Sequence, residues 1–140
     1  MAQVLKYDPE TSVTLKVDSA ATIAEGELVA VDAQGEAVLA DSDGAAGPLK
    51  AVGFAVRAAS GASGDYVTVA PLCVIGGLSS KTPGATQYAS GTAGALTETR
   101  PTGATAAIQP VGIAISATKV LGNVTAPFAL RQNAGTTTLA

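Results

Sequence analysis

The side chains able to do chemistry are few, and their spacing does not assemble a reaction. The 140-residue chain contains no histidine and a single cysteine, Cys73. The commonest general base and metal ligand is therefore missing, and no thiol pair can form. Glu25 and Glu27 have the i, i+2 spacing that puts two carboxylates on one face of a strand, as acid/base work would need. Gly26 between them marks a turn instead, where such charges are solvated. Asp41-Ser42-Asp43-Gly44 opens like a calcium loop but lacks the further ligands and the terminal glutamate, so it reads as an ordinary loop. The glycine-rich stretches Gly61–Asp65 and Gly91–Gly94 lack the lysine and the spacing of a phosphate loop, and no G-x-S-x-G elbow occurs. These residues predict a chain that is not an enzyme, with no catalytic residue, no metal site and no cofactor.

The bulk composition points to assembly. Charged residues make up 14% of the chain, against about a quarter in ordinary soluble domains, and aromatic residues only 4%. Hydrophobic residues reach 47%, but the commonest of them is alanine, which removes little apolar area from water when buried. A lone domain of this kind is expected to be marginal and to take part of its stability from oligomerisation. Mean hydropathy is +0.35, yet the most apolar stretch, Val67–Leu78, carries Pro71 and a glycine pair and is too short to span a bilayer as a helix. The opening MAQVLKYDPE has no apolar signal region. No membrane association is expected. Residues 1–65 hold ten of the eleven acids, with a balance of −6, while residues 66–140 have a balance of +3. Neither half has a basic cluster dense enough for nucleic acid. Opposite charge on the two halves could set register between copies or on a partner.

Around these residues the pattern is all-β. Residues 1–10 precede any regular pattern and, with Pro9 fixing extended geometry, read as an extended N-terminal arm whose sizeable apolar groups are Val4, Leu5 and Tyr7. Thr11–Asp18 alternates as a half-buried strand. Short strands follow around Leu28–Val31, Val38–Ala40, Leu49–Ala58 and Tyr66–Leu78, each bounded by turn residues. Pro71 should mark an edge, bulge or break. Val111–Leu121 reads as one strand, and Gly122–Gln132 as another interrupted by Pro127. Residues 11–132 then form a single β domain, a small sandwich or barrel, and 133–140 a flexible tail.

The chain also repeats itself. Val52–Ser60 reads VGFAVRAAS and Val111–Lys119 reads VGIAISATK. Gly84 stands at the place of Gly26, Gly94 at that of Gly35, and Gly112 at that of Gly53. The offset is 58 residues at the first pair and 59 afterwards, so one residue is inserted. Residues 25–60 and 83–119 form an internal quasi-repeat with too few copies for a solenoid. Its six glycines are expected to be structural.

Three stretches, EGELVAVDAQGEAV at Glu25–Val38, the phrase at Ala51–Leu78 and the phrase at Tyr88–Leu121, resemble the capsid cement, or head decoration, proteins of tailed bacteriophages. Gly26–Val29, Val52–Ala55 and Gly64–Val69 supply that family's short words. The resemblance implies a β-tulip-like fold and a virion structural protein at the outer surface of the capsid, made in the host cytoplasm. Homotrimers would sit on a shell of HK97-fold major capsid protein and clamp adjacent capsomers. Val4, Leu5, Tyr7 and Pro9 of the arm would be capsid contacts, the arm adding a strand to a neighbour's edge. The Tyr88–Thr118 phrase also resembles head-fibre proteins, which implies as an alternative a head-fibre or tail-fibre adhesion module for host glycans.

Overall fold

A computed structural model of the chain describes residues 2–43, 49–103, 106–124 and 131–132. The tail expected at 133–140, the break expected at Pro127 and most of the loop after Asp43 lie outside these residues. The described chain is all-β, with one short 3-10 turn at Gly61–Ser63 as its only helical element. Strands run as β1 (Gln3–Tyr7), β2 (Val13–Lys16), β3 (Thr22–Ile23), β4 (Leu28–Val31), β5 (Ala37–Leu39), β6 (Ala51–Ala55), β7 (Ala59–Ser60), β8 (Tyr66–Ala70), β9 (Leu72–Gly76), β10 (Thr86–Ala89), β11 (Leu96–Thr97), β12 (Ala107–Ile108), β13 (Pro110–Ala114), β14 (Val120–Asn123) and β15 (Arg131–Gln132).

Two antiparallel sheets carry the fold. One has the order β2-β8-β6-β4-β5, the other β1-β9-β14-β13-β10-β11, with two-stranded pairs β3-β7 and β12-β15 beside them. Both large sheets are open, so the architecture is a sandwich and not a closed barrel. The five-stranded sheet comes nearest to closure, where an isolated bridge joins Val17 to Ala37. Pro71 breaks the run Tyr66–Leu78 into β8 and β9, which belong to different sheets. Proline cannot donate to a ladder, and the chain uses it to change layers. The run Val111–Leu121, expected as one strand, is a hairpin of β13 and β14. Its turn is fixed by Thr118 N–H donating to Ser116 Oγ at 3.2 Å and by Ile115 N–H donating to the Lys119 carbonyl at 3.0 Å.

The quasi-repeat is a duplicated sheet. Strands β4, β5 and β6 correspond to β10, β11 and β13, and their pairings correspond residue by residue. Leu28↔Phe54, Val29↔Gly53 and Ala30↔Ala51 in the first copy become Thr86↔Ile113, Gln87↔Gly112 and Tyr88↔Pro110 in the second. The register shift falls at the same step in both, after Val29 and after Gln87. Ala30↔Val38 and Val31↔Ala37 become Tyr88↔Thr97 and Ala89↔Leu96, which absorbs the inserted residue. The sheet orders extend the match outward, β8 to β14 and β2 to β9. The turn glycines follow suit, with φ of +83° at Gly26 and +86° at Gly84, and +80° at Gly35 and +77° at Gly94. At Gly53 and Gly112 the reason is space, because a Cβ would come within 2.9 Å of the Ala70 backbone and 2.5 Å of the Leu121 carbonyl oxygen.

The two copies stack in the same sense rather than face to face. Leu28, Ala30, Phe54, Val56 and Ala70 of the first copy pack against Cys73, Ile75, Ala89 and Val111 of the second in one buried cluster. The opposite side of the five-stranded sheet holds a second cluster with Val29, Ala55, Val67 and Val69, closed by Val17, Ile23 and Ala59. The five-stranded sheet is thus buried on both faces. The counterparts of Val29 and Ala55, Gln87 and Ala114, are buried, while the counterpart of Phe54, Ile113, is exposed. The sheets approach closely where the Phe54 ring lies on Gly122; a Cβ there would meet Phe54 Cε1 at 2.5 Å.

One buried side chain ties the copies together at equivalent places. Gln109, just before β13, accepts from Ala51 N–H at 2.8 Å and donates through Nε2 to the Ala51 carbonyl at 2.8 Å. It acts as a short strand partner for the start of β6. Replacing it removes both partners of a buried peptide group, and each unsatisfied group costs about 1–3 kcal/mol. Gln109→Leu is expected to lower unfolding stability by about 2–4 kcal/mol, measured by urea denaturation, whereas a change under about 0.5 kcal/mol would show the contact to be dispensable.

Candidate functional site

The N-terminal segment lies along the chain's own six-stranded sheet. The arm expected over residues 1–10 is, from Gln3 to Tyr7, strand β1 paired antiparallel with β9. The cause is the edge of β9, whose backbone groups would otherwise lack partners on that side. Val4 packs against the main core cluster, and its N–H donates to Glu25 Oε2 at 2.8 Å. Leu5, 51% exposed, sits over Gly76, where a Cβ would lie 2.6 Å from Leu5 Cδ1. Tyr7 is 39% exposed, and Pro9 is exposed in the turn that follows. That turn is fixed by Asp8 N–H donating to the Leu72 carbonyl at 3.1 Å and Ser12 Oγ donating to the Asp8 carbonyl at 2.7 Å. Of the four residues expected to act together, the structure brings Tyr7 and Pro9 to one apolar groove of about 410 Å³ with Leu72, Val74 and Leu121. Val4 and Leu5 lie elsewhere on the strand.

The carboxylates singled out by spacing do separate jobs. Glu25 holds β1, while Glu27 Oε1 accepts from Ala24 N–H at 2.7 Å and closes the turn at Gly26. Asp41 Oδ1 accepts from Asp43 N–H at 3.0 Å, and the neighbouring Asp41 carboxyl raises the Asp43 pKa above the usual carboxylate range. Asp43 contributes to a polar pocket of about 270 Å³ with Ser42, Ser90, Gly91, Thr97 and Arg100. A third group escaped sequence reasoning. Oxygens of Asp18, Asp32 and Glu36 lie within 4.8 Å of one another, because the Val17–Ala37 bridge joins distant strand ends. These carboxylates are engaged in turns: Asp18 Oδ1 accepts from Ala20 N–H, and Asp32 Oδ1 accepts from Gln34 and Glu36 N–H at 2.8–2.9 Å. Lys16 Nζ stands 4.0 Å from Glu36.

Two further groups are tuned by their surroundings. Glu98 accepts from Thr82 N–H at 2.7 Å and from Gln87 Nε2 at 3.1 Å, and these bonds hold its pKa below the ordinary value. Cys73 faces the inter-sheet core, and burial pushes its thiol from 9.0 up to about 12. Among the described residues no helix is long and apolar enough to cross a membrane. No family model and no curated protein matches the chain.

A buried neutral thiol is a poor nucleophile, since the thiolate is the reactive form. The native protein at pH 8 is expected to react with a thiol reagent only as fast as it opens, while the urea-unfolded chain reacts at once; equal rates would place Cys73 outside the core. Because the folded pKa is raised, the contribution of the neutral Cys73 thiol to stability is fully present below pH 9.0 and is lost as pH climbs toward about 12.

Proposed function

We propose that the chain is a virion structural protein, a capsid cement that binds as a homotrimer on the outside of a phage head and clamps adjacent capsomers of HK97-fold major capsid protein. Its work is mechanical and involves no catalysis. The observation that carries this reading is where the family's words fall. Gly26–Val29 enters β4, Val52–Ala55 lies in β6, and Gly64–Val69 leads into β8. These are three adjacent strands of one sheet. The exposed large apolar side chains are a second support. Leu5, Leu72, Ile113, Ile115 and Leu121 are each 38–51% exposed on a protein with few charges to keep it apart from others.

The position of β1 refines how such a protein would grip. β1 is the terminal strand of its sheet among the described residues, and apart from the Val4 N–H, which Glu25 takes, its outer edge could accept a further strand. Three such edges on one trimer would act together, and weak individual grips would multiply through effective concentration. A glycan-binding role would draw on the hydroxyl-lined pocket around Asp43 and Arg100. Sugar sites usually offer an aromatic face, and the residues lining that pocket include none.

The test is co-sedimentation with expanded, undecorated shells of the phage that encodes the chain. The cement reading expects saturable binding and shells that withstand higher temperature once coated. Failure to bind such shells at micromolar concentration, with the protein folded, would contradict it.

A further inference from the structure

The duplication leaves one strand over. The first copy builds the five-stranded sheet β2-β8-β6-β4-β5, and its counterparts β9, β14, β13, β10 and β11 build the second. β1 has no counterpart; it is a sixth strand added along the free side of β9. In the first copy the equivalent edge, that of β2, is met at its end by its own sheet, through the Val17–Ala37 bridge. In the second copy β1 covers the edge instead. Its hold is slight. Gln3, Leu5, Lys6 and Tyr7 are exposed, and only Val4 is half-buried. The pairing with β9 shifts register between Val4 and Lys6, a bulge that interrupts the ladder. One side chain acts as a catch, the Glu25 carboxylate on the Val4 N–H at 2.8 Å. The far end is pinned by more bonds: Asp8 N–H donates to the Leu72 carbonyl at 3.1 Å, Glu10 N–H to Asp8 Oδ1 at 3.0 Å and Ser12 Oγ to the Asp8 carbonyl at 2.7 Å. Few buried apolar contacts and exposed backbone bonds define a segment that opens well below the free energy of global unfolding.

We infer that β1 is a detachable strap: it swings away about the Asp8–Ser12 turn while both sheets stay folded, and the β9 edge it uncovers binds an extended strand of a partner. What remains after β1 leaves is a five-stranded sheet of the same design as the first, so the core keeps its two layers. The contacts of β1 state what the site recognises. The incoming strand runs antiparallel to β9 and gives one amide to Glu25. It places a small branched apolar residue where Val4 meets the core and a longer one over Gly76, where Leu5 now lies. β9 itself is regular, since Leu72–Ile75 pair with β14 without a break. A strand free of the bulge therefore pairs along the whole edge, which lets it compete with a tethered strap. In the closed state β1 is an autoinhibitory contact for this site. The inference stands apart from the cement reading, and its test needs no shell.

Three forms of the full chain test this: the wild type, Val4→Pro and an oxidised K6C/V74C variant. Val4→Pro removes the strap's amide and leaves Glu25 free for another strand. Lys6 and Val74 are register partners that line one groove, and opposed residues of an antiparallel pair lie about 4.5–5.5 Å apart at Cα, within reach of a disulfide that locks the strap down. The probe is a fluorescein-labelled peptide AQVLKYD, the sequence of residues 2–8. Val4→Pro is expected to keep its cooperative urea transition. It should bind the peptide at least about tenfold more tightly than the wild type, whose site is held by its own strap. The locked variant should not bind it. In the wild type, β1 amides bonded to β9 should exchange with deuterium at least about a hundredfold faster than those of β14, at a rate unchanged by urea below the unfolding transition. A Val4→Pro chain that does not fold, a peptide with equal affinity for Val4→Pro and the wild type, a locked variant that binds the peptide, or β1 amides that exchange only with global unfolding would each overturn the inference.

Discussion

The contact of the Phe54 ring with Gly122 sets the distance between the two sheets, and the rest of the fold is arranged around it. Among the described residues Phe54 is the largest fully buried side chain. It can lie between sheets only because β14 presents a glycine beneath it. Around this ring many positions are small, Ala30, Ala51 and Ala70 on one side and Cys73 and Ala89 on the other, with Leu28, Ile75 and Val111 filling the rest of the cluster. Small residues bring sheets close but remove little area each, so stability must be collected over wide faces. That is why the five-stranded sheet is covered on both sides and why an uncovered face on its partner stands out.

Same-sense stacking of a duplicated sheet follows from the same constraint. Each copy offers one face to the other, and the two faces differ. The face that holds Val29 in the first copy holds Gln87 in the second, fully buried, with Nε2 donating to Glu98 and Ala85 and Oε1 without a partner among the described residues. The face that holds Phe54 in the first copy holds Ile113 in the second. Duplication supplied two equal units, and stacking gave them unequal surroundings. The exposed edge of β9 is closed by β1, which Glu25 holds through the Val4 amide.

Local signals in the sequence carried the strands and turns. Alternation, paired glycines and the repeated phrase are set by backbone geometry over a few residues, so all-β character and the duplication were legible without coordinates. Pairing between distant segments was not. Nothing in Gln3–Tyr7 states that its partner lies in Leu72–Gly76, and an arm and an edge strand have the same extended sequence. The Ser116–Lys119 turn was hidden because serine and threonine hydroxyls, not glycine, close it. The Asp18, Asp32 and Glu36 group depends on one bridge between strand ends. Gln109 offered no signal at all, since its role exists only against the Ala51 backbone.

The most direct measurement is a double-mutant cycle between Phe54→Ala and Gly122→Ala, read by urea unfolding. Gly122→Ala alone crowds the ring and should destabilise, while in the Phe54→Ala background its methyl occupies the vacated space and should recover part of the loss. The stacking account predicts a favourable coupling of about 1–3 kcal/mol. Strict additivity of the two changes would mean that the sheets do not meet at this contact.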